Sequence, residues 1–205
     1  MSSNSPQPNL TRRHFLKLAA TAAGGVGIGV GAWSWLNWQP SASVAIYRAS
    51  SYSAPVANLI REGLRQYPNV LARVRGGRVV LKPNLVEYAD AWRINTHPAV
   101  IAGAIEAFRA AGAREVSVAE GPGHQRDTEM LLEQSGWAEM LTGEKTRFVD
   151  LNLDATHPVK LAANHTGLGR LFLPGTILGA DLVVSLPKLK THHWAGVTLS
   201  LKNLF

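Results

Sequence analysis

Short, continuous runs of apolar and β-branched residues recur along this chain, and between them lie segments whose apolar residues fall three and four apart. The runs at 44–47, 78–82, 115–119, 147–151 and 182–186 have the length and composition of buried strands. From Ala54, the residues Val56, Leu59, Ile60 and Leu64 take helical spacing, with Arg61, Glu62 and Arg65 on the other face, until Pro68 and Asn69 end the segment. Thr96 is a good N-cap for a second helix, with Pro98 in its first turn. Val100, Ile101, Ala104, Ile105 and Phe108 form its buried stripe, and Gly112 closes it. Asp127 caps a third, in which Met130, Leu131 and Leu132 pack inward, and 137–140 forms a short further piece.

Strands that are apolar throughout, alternating with amphipathic helices, predict an α/β layered fold with a mostly parallel central sheet flanked by helices. Gly76 and Gly77 turn the chain into the second strand, and the polar stretch 87–95 reads as a loop. Segments 157–163 and 170–173 fit a hairpin or an edge pair. The simplest division is a leader over 1–43 followed by one domain over 44–205.

The leader has its own chemistry. Thr11-Arg12-Arg13-His14-Phe15-Leu16-Lys17 closely matches the twin-arginine export motif, with Arg12 and Arg13 as its pair and Thr where Ser is commoner. The Ala/Gly-rich apolar segment 18–38 that comes next is long enough to approach a bilayer's thickness of about 20 residues, but five glycines weaken it as a stable lipid-embedded helix. Small residues at Ser41, Ala42, Ser43 and Ala45 offer a cleavage site. The expectation is a periplasmic or secreted protein delivered folded by the twin-arginine translocase, with membrane anchoring through 18–38 as the alternative.

Composition narrows the chemistry further. The chain has 205 residues, 46% of them hydrophobic, and no cysteine, which excludes disulfides, thiolate nucleophiles and an iron–sulfur cluster held by this chain. Of its 21 basic residues, Arg12, Arg13 and Lys17 lie in the leader. That leaves 18 against 14 acidic ones, too scattered for a nucleic-acid interface but compatible with an anionic small molecule.

Candidate chemistry gathers at strand ends. In an open parallel sheet, ligands bind beyond the carboxyl ends of the strands. Lys82 and Asn84 follow one predicted strand, and Glu120 and His124 another. Lys188, Lys190, Thr191, His192 and His193 follow the last, with Lys202 and Asn203 close behind. If the strands are parallel neighbours, these groups share one rim. Lys188 and Lys190, two apart on an extended segment, are expected to point together, and two cations held close call for an anion between them. His192 and His193, being adjacent, are expected to point apart, so that at most one faces the rim. The turn 121–123 falls short of a phosphate-loop fingerprint, and His157 and His165 read as surface histidines.

RVVLKPNLV from Arg78, THPAVIAGAIEAFRAAGA from Thr96, VSVAEGPG from Val116 and DLVVSLPKLKTHHWAGVTLSLKNLF from Asp181 resemble the bacterial and archaeal family called domain of unknown function 362. The similarity runs from about Val44 to the end. In that family the final motif continues with a glycine and further sequence, so the resemblance implies a C-terminally truncated member. Some members carry ferredoxin-type modules, which implies an iron–sulfur redox partner rather than a cluster in this chain.

Two functions arise as expectations. The first is an exported enzyme, redox or metal-assisted, acting on an anionic small molecule. Lys188, Lys190, Thr191, Lys202, Asn84 and Asn203 would bind the ligand, and Glu120, His192 and Lys82 would act on it. His97, Glu120 and His192 form the candidate set for a divalent metal. The second is a non-catalytic periplasmic module that uses the same lysines to hold an anion.

Overall fold

The parallel sheet grows from the three strongest apolar runs. The computed structural model describes residues 42–88, 94–163, 165 and 167–204. The chain divides into two units, Met1–Val44 and Ala45–Phe205, and the described helices and strands all belong to the second. In chain order its elements are α1 (Val56–Arg65), α2 (Pro68–Val74), β1 (Arg78–Pro83), α3 (Pro98–Ala110), β2 (Glu115–Glu120), α4 (Thr128–Gln134), α5 (Trp137–Gly143) and β3 (Phe148–Asp150). Then come β4 (Thr156–Lys160), β5 (Arg170–Pro174), α6 (Gly175–Leu178), β6 (Leu182–Leu186), β7 (Lys190–His192), β8 (Gly196–Thr198) and α7 (Ser200–Asn203).

Four strands form one all-parallel sheet in the order β3-β2-β1-β6. Leu81 is level with Val118 on one side and Val184 on the other, which brings the carboxyl ends of β1, β2 and β6 to one edge. Successive side chains point to opposite faces. Val79, Leu81, Val116 and Val118 pack under α3 with Ile101, Ile105, Phe108, Leu131 and Trp137, while Val80, Ala119 and Val149 meet Ile177 and Ala180 on the other face. The α1–α3 contact is tight: a Cβ on Gly103 would come within 2.8 Å of the Val56 Cβ. This is the expected α/β architecture, and β4 and β5 form the antiparallel pair read from 157–163 and 170–173.

Several local readings are corrected. The run 44–47 forms no strand. Val44 and Ile46 are 75% and 90% exposed, and Tyr47 is held through its hydroxyl, which accepts from Gln66 Nε2 at 2.5 Å. Apolar content without a neighbouring strand to complete the ladder does not make one. Pro68 also opens a helix, α2, since proline suits a first turn as well as it ends the turn before. The cap of α3 is His97 rather than Thr96, its Nδ1 accepting from the Ala99 amide at 3.2 Å. Asp127 does cap α4, accepting from the Met130 amide at 2.9 Å. After β6 the chain folds back as the β7–β8 ribbon and the single turn α7.

Candidate functional site

Lys82 is level with Ser185 near the end of β1, and Glu120 is the last residue of β2, level with Asp150. Their side chains meet over the strand ends, Lys82 Nζ lying 2.8 Å from Glu120 Oε1, with only 11% and 7% of each exposed. Burial pushes the Glu120 carboxyl above its ordinary value, outweighing the Lys82 ammonium, the Gly121 amide and the Lys190 charge, all of which pull it down.

Next to this pair, a set of buried amides frames the edge. Asn84 and Thr96 exchange backbone and side-chain bonds: the Asn84 amide donates to Thr96 Oγ1, and the Thr96 amide donates to the Asn84 carbonyl, both at 2.9 Å. Thr96 Oγ1 donates to the Leu186 carbonyl at 2.7 Å, and Trp137 Nε1 donates to the Thr96 carbonyl at 3.0 Å. Asn84 Nδ2 donates to Asn203 Oδ1, and Asn84 Oδ1 accepts the Lys188 amide at 2.8 Å. Asn203 Nδ2 in turn donates to the Lys82 carbonyl at 2.6 Å and to Ser185 Oγ at 2.9 Å. Asn84 and Asn203, read from sequence as ligand-binding, thus engage their amides within the chain, fastening α7 to the ends of β1 and β6.

The cations stand on that frame. Lys188 Nζ donates to the Tyr52 hydroxyl at 2.6 Å and lies 5.0 Å from the centre of its ring. The Tyr52 ring stacks on His97 at 3.9 Å with the planes 3° apart. Lys190 Nζ donates to the Ile94 carbonyl at 2.8 Å. The two ammonium groups, expected to point together, have different acceptors, since residues 187–189 are not in a regular strand. Burial, then the Lys202 charge, bring the Lys190 ammonium down to about 8 from 10.5; Glu120 opposes that shift and Lys188 adds to it. His97 is lowered by burial and by Lys188.

Of the remaining sequence candidates, Thr191 is exposed on the outer face of the ribbon, and Lys202 is exposed on α7. His192 and His193 do not point apart: their rings stack at 4.8 Å, because the chain turns sharply just beyond them. His192 Nδ1 accepts the Trp194 and Ala195 amides at 3.1 and 3.2 Å, and its pKa is lowered by partial desolvation, then by Lys202, His193 and Lys190. His124 is exposed. Among the described residues no three His, Asp or Glu side chains are placed to hold a metal ion, so His97, Glu120 and His192 are not gathered into a ligand set. Arg12, Arg13 and the segment 18–38 lie outside the described residues; among the described ones no helix is long and apolar enough to cross a membrane.

Sequence reasoning missed Tyr52, which sits in an irregular loop with no periodicity to mark it. It also missed Thr198, level with Lys190 in the ribbon. A recess of about 590 Å³, lined by Ala195, Val197, Leu199, Leu201 and Lys202, opens at this end of the chain. What the arrangement offers is a buried carboxyl with a raised pKa beside a lysine with a depressed one, among further cations, at a sheet edge.

Comparison with known proteins gives three findings. The family described as a domain of unknown function (DUF362) matches residues 79–205. The family described as the ubiquitinol-cytochrome C reductase Fe-S subunit TAT signal matches residues 2–38, which marks the chain for export and for handling by the twin-arginine translocase. The thylakoid-associated protein sll1697 of Synechocystis sp. is 29% identical over 170 residues, covering 80% of this chain and 50% of the relative. The chain therefore spans about half the length of the curated relative it matches. No solved structure matches.

Proposed function

The chain belongs to the DUF362 family, and on that premise we propose that it is an exported enzyme of the periplasm or extracellular space that moves a proton on an anionic small molecule held at the carboxyl ends of β1, β2 and β6. Lys190 and Lys202, with Lys188 nearby, hold the negative charge of the ligand. Glu120 takes or gives the proton, and Lys82 keeps its carboxyl oriented through the 2.8 Å contact.

The observation that carries this reading is the pairing of opposite shifts. Glu120 is raised and Lys190 is brought down to about 8, so both lie nearer neutrality than free carboxyls and amines do. Such displacement of neighbouring groups is characteristic of acid–base sites. A bound anion would also offset the repulsion of Lys190 by Lys202 and Lys188, which adds to the larger effect of burial in lowering Lys190.

The second reading is a binding module without chemistry. What favours it is that Asn84, Asn203 and the Nδ1 atoms of His97 and His192 are all engaged within the chain, leaving few groups other than lysines to touch a ligand. The two separate on exchange of C–H protons next to the carboxylate, followed by NMR in D2O over a panel of small carboxylates. An enzyme exchanges one of them; Glu120→Gln abolishes exchange but retains binding, and Lys190→Met loses binding. Binding without exchange leaves the module, and ligand affinity unchanged in Lys190→Met refutes both.

A further inference from the structure

The described part of the molecule pairs its buried polar side chains almost without exception. Asn84, Thr96 and Asn203 are 5%, 3% and 2% exposed, and each makes two or more hydrogen bonds. Thr198 departs from that rule. It is 2% exposed, and its Oγ1 is the buried side-chain polar atom without a hydrogen-bond partner among the described residues. Buried hydroxyls in folded proteins find partners, and one that finds none among the described residues is open to a partner from outside the chain.

Its position says which kind. In the β7–β8 ribbon Thr198 is level with Lys190, Thr191 with Val197, and His192 with Gly196. Residues level with one another in an antiparallel pair share a face, and neighbours along the strand alternate. Thr198 and Lys190 therefore lie on one face, the covered one, while Thr191 and Val197 lie on the exposed one. Lys202 comes within the next turn, close enough to depress Lys190.

We propose that Thr198 is a ligand-binding residue, its hydroxyl and the Lys190 ammonium together holding one oxyanion group of the ligand while Lys202 supplies further positive charge. The inference rests on the reading of this edge as an anion site and adds to it a neutral donor that fixes the anion's orientation. A carboxylate and a phosphate both present suitable oxygens; what they share is an oxygen that accepts one bond from a hydroxyl and one from an ammonium.

The test titrates inorganic phosphate and acetate separately into the purified full chain by calorimetry, in wild type, Thr198→Val, Thr198→Ser and Lys190→Met. Valine keeps the shape and removes the hydroxyl. The expected result is an affinity about tenfold weaker in Thr198→Val, as for loss of one hydrogen bond to a charged group. Its urea midpoint without ligand should be unchanged or higher, and Thr198→Ser should recover most of the affinity. Tighter binding of phosphate than acetate assigns the phosphoryl class, and the reverse assigns carboxylates. If Thr198→Val binds as wild type does while Lys190→Met does not, the role of Thr198 falls and the anion site stands. A lowered urea midpoint with unchanged affinity makes the hydroxyl structural and likewise overturns the proposal. If wild type binds neither probe, the anion site falls with it.

Discussion

Replacing Lys82 by Met strips the Glu120 carboxylate of its ion-pair partner while keeping the length and apolar stem of the side chain. The pair is 2.8 Å apart with 11% and 7% of its side chains exposed, and removing one member of a buried pair costs about 3–5 kcal/mol, a large share of the ~5–15 kcal/mol that stabilises a typical domain. The loss should depend on pH. Burial already raises Glu120, and without Lys82 it rises further. A carboxyl whose folded value exceeds its unfolded one contributes stability that is whole below the unfolded value of 4.5 and is lost as pH climbs through the folded value. Lys82→Met should therefore cost only about 1 kcal/mol near pH 5, the worth of a hydrogen bond, and about 3–5 kcal/mol at pH 8. Urea unfolding followed by tryptophan fluorescence reads this directly, Trp137 being fully buried. With a slope of about 2 kcal/mol/M, the midpoint relative to wild type should fall by roughly 2 M at pH 8 and by about 0.5 M at pH 5. The double variant Lys82→Met/Glu120→Leu should recover most of the loss, because an apolar pair of similar volume replaces the ions. A deficit of the same size at both pH values would refute the reasoning.

Other outcomes are expected at the same edge. Asn203→Ala leaves Asn84 Nδ2, the Lys82 carbonyl and Ser185 Oγ without their shared partner, and should cost about 2–4 kcal/mol in the same unfolding assay. Lys190 should titrate near 8 by NMR of selectively labelled lysine, moving back up when an anion is bound. Because the unfolded chain binds this proton up to about 10.5, Lys190 makes stability rise with pH between about 8 and 10.5, and Lys190→Met should flatten that rise.

The sheet was legible because each of its strands has a short, mostly apolar and β-branched run at its centre, with polar residues mainly toward the ends. The runs 78–82, 115–119 and 182–186 coincide with β1, β2 and β6 to within a residue, and the rule that ligands sit beyond strand ends brought Lys82 and Glu120 together correctly. The run 44–47 misled for the converse reason: β-branched composition says nothing about whether a neighbouring strand exists. Tyr52 lay beyond reach, since its stacking on His97 and its bond to Lys188 join loops 45 and 136 residues away that no local pattern connects. His97 took the capping role from Thr96 because the threonine hydroxyl is drawn to the Leu186 carbonyl, a tertiary demand that outweighs a local preference.

The amide contact between Asn84 and Asn203 spans 119 residues of sequence. Closing so long a loop is slow and entropically costly until the strands on either side have paired, so the lysine-bearing end of the domain is fastened among the last parts to fold. Export through the twin-arginine route carries proteins across already folded. A chain that crosses only once its folding is complete therefore crosses with its charged edge already assembled, since that edge is fastened among the last parts.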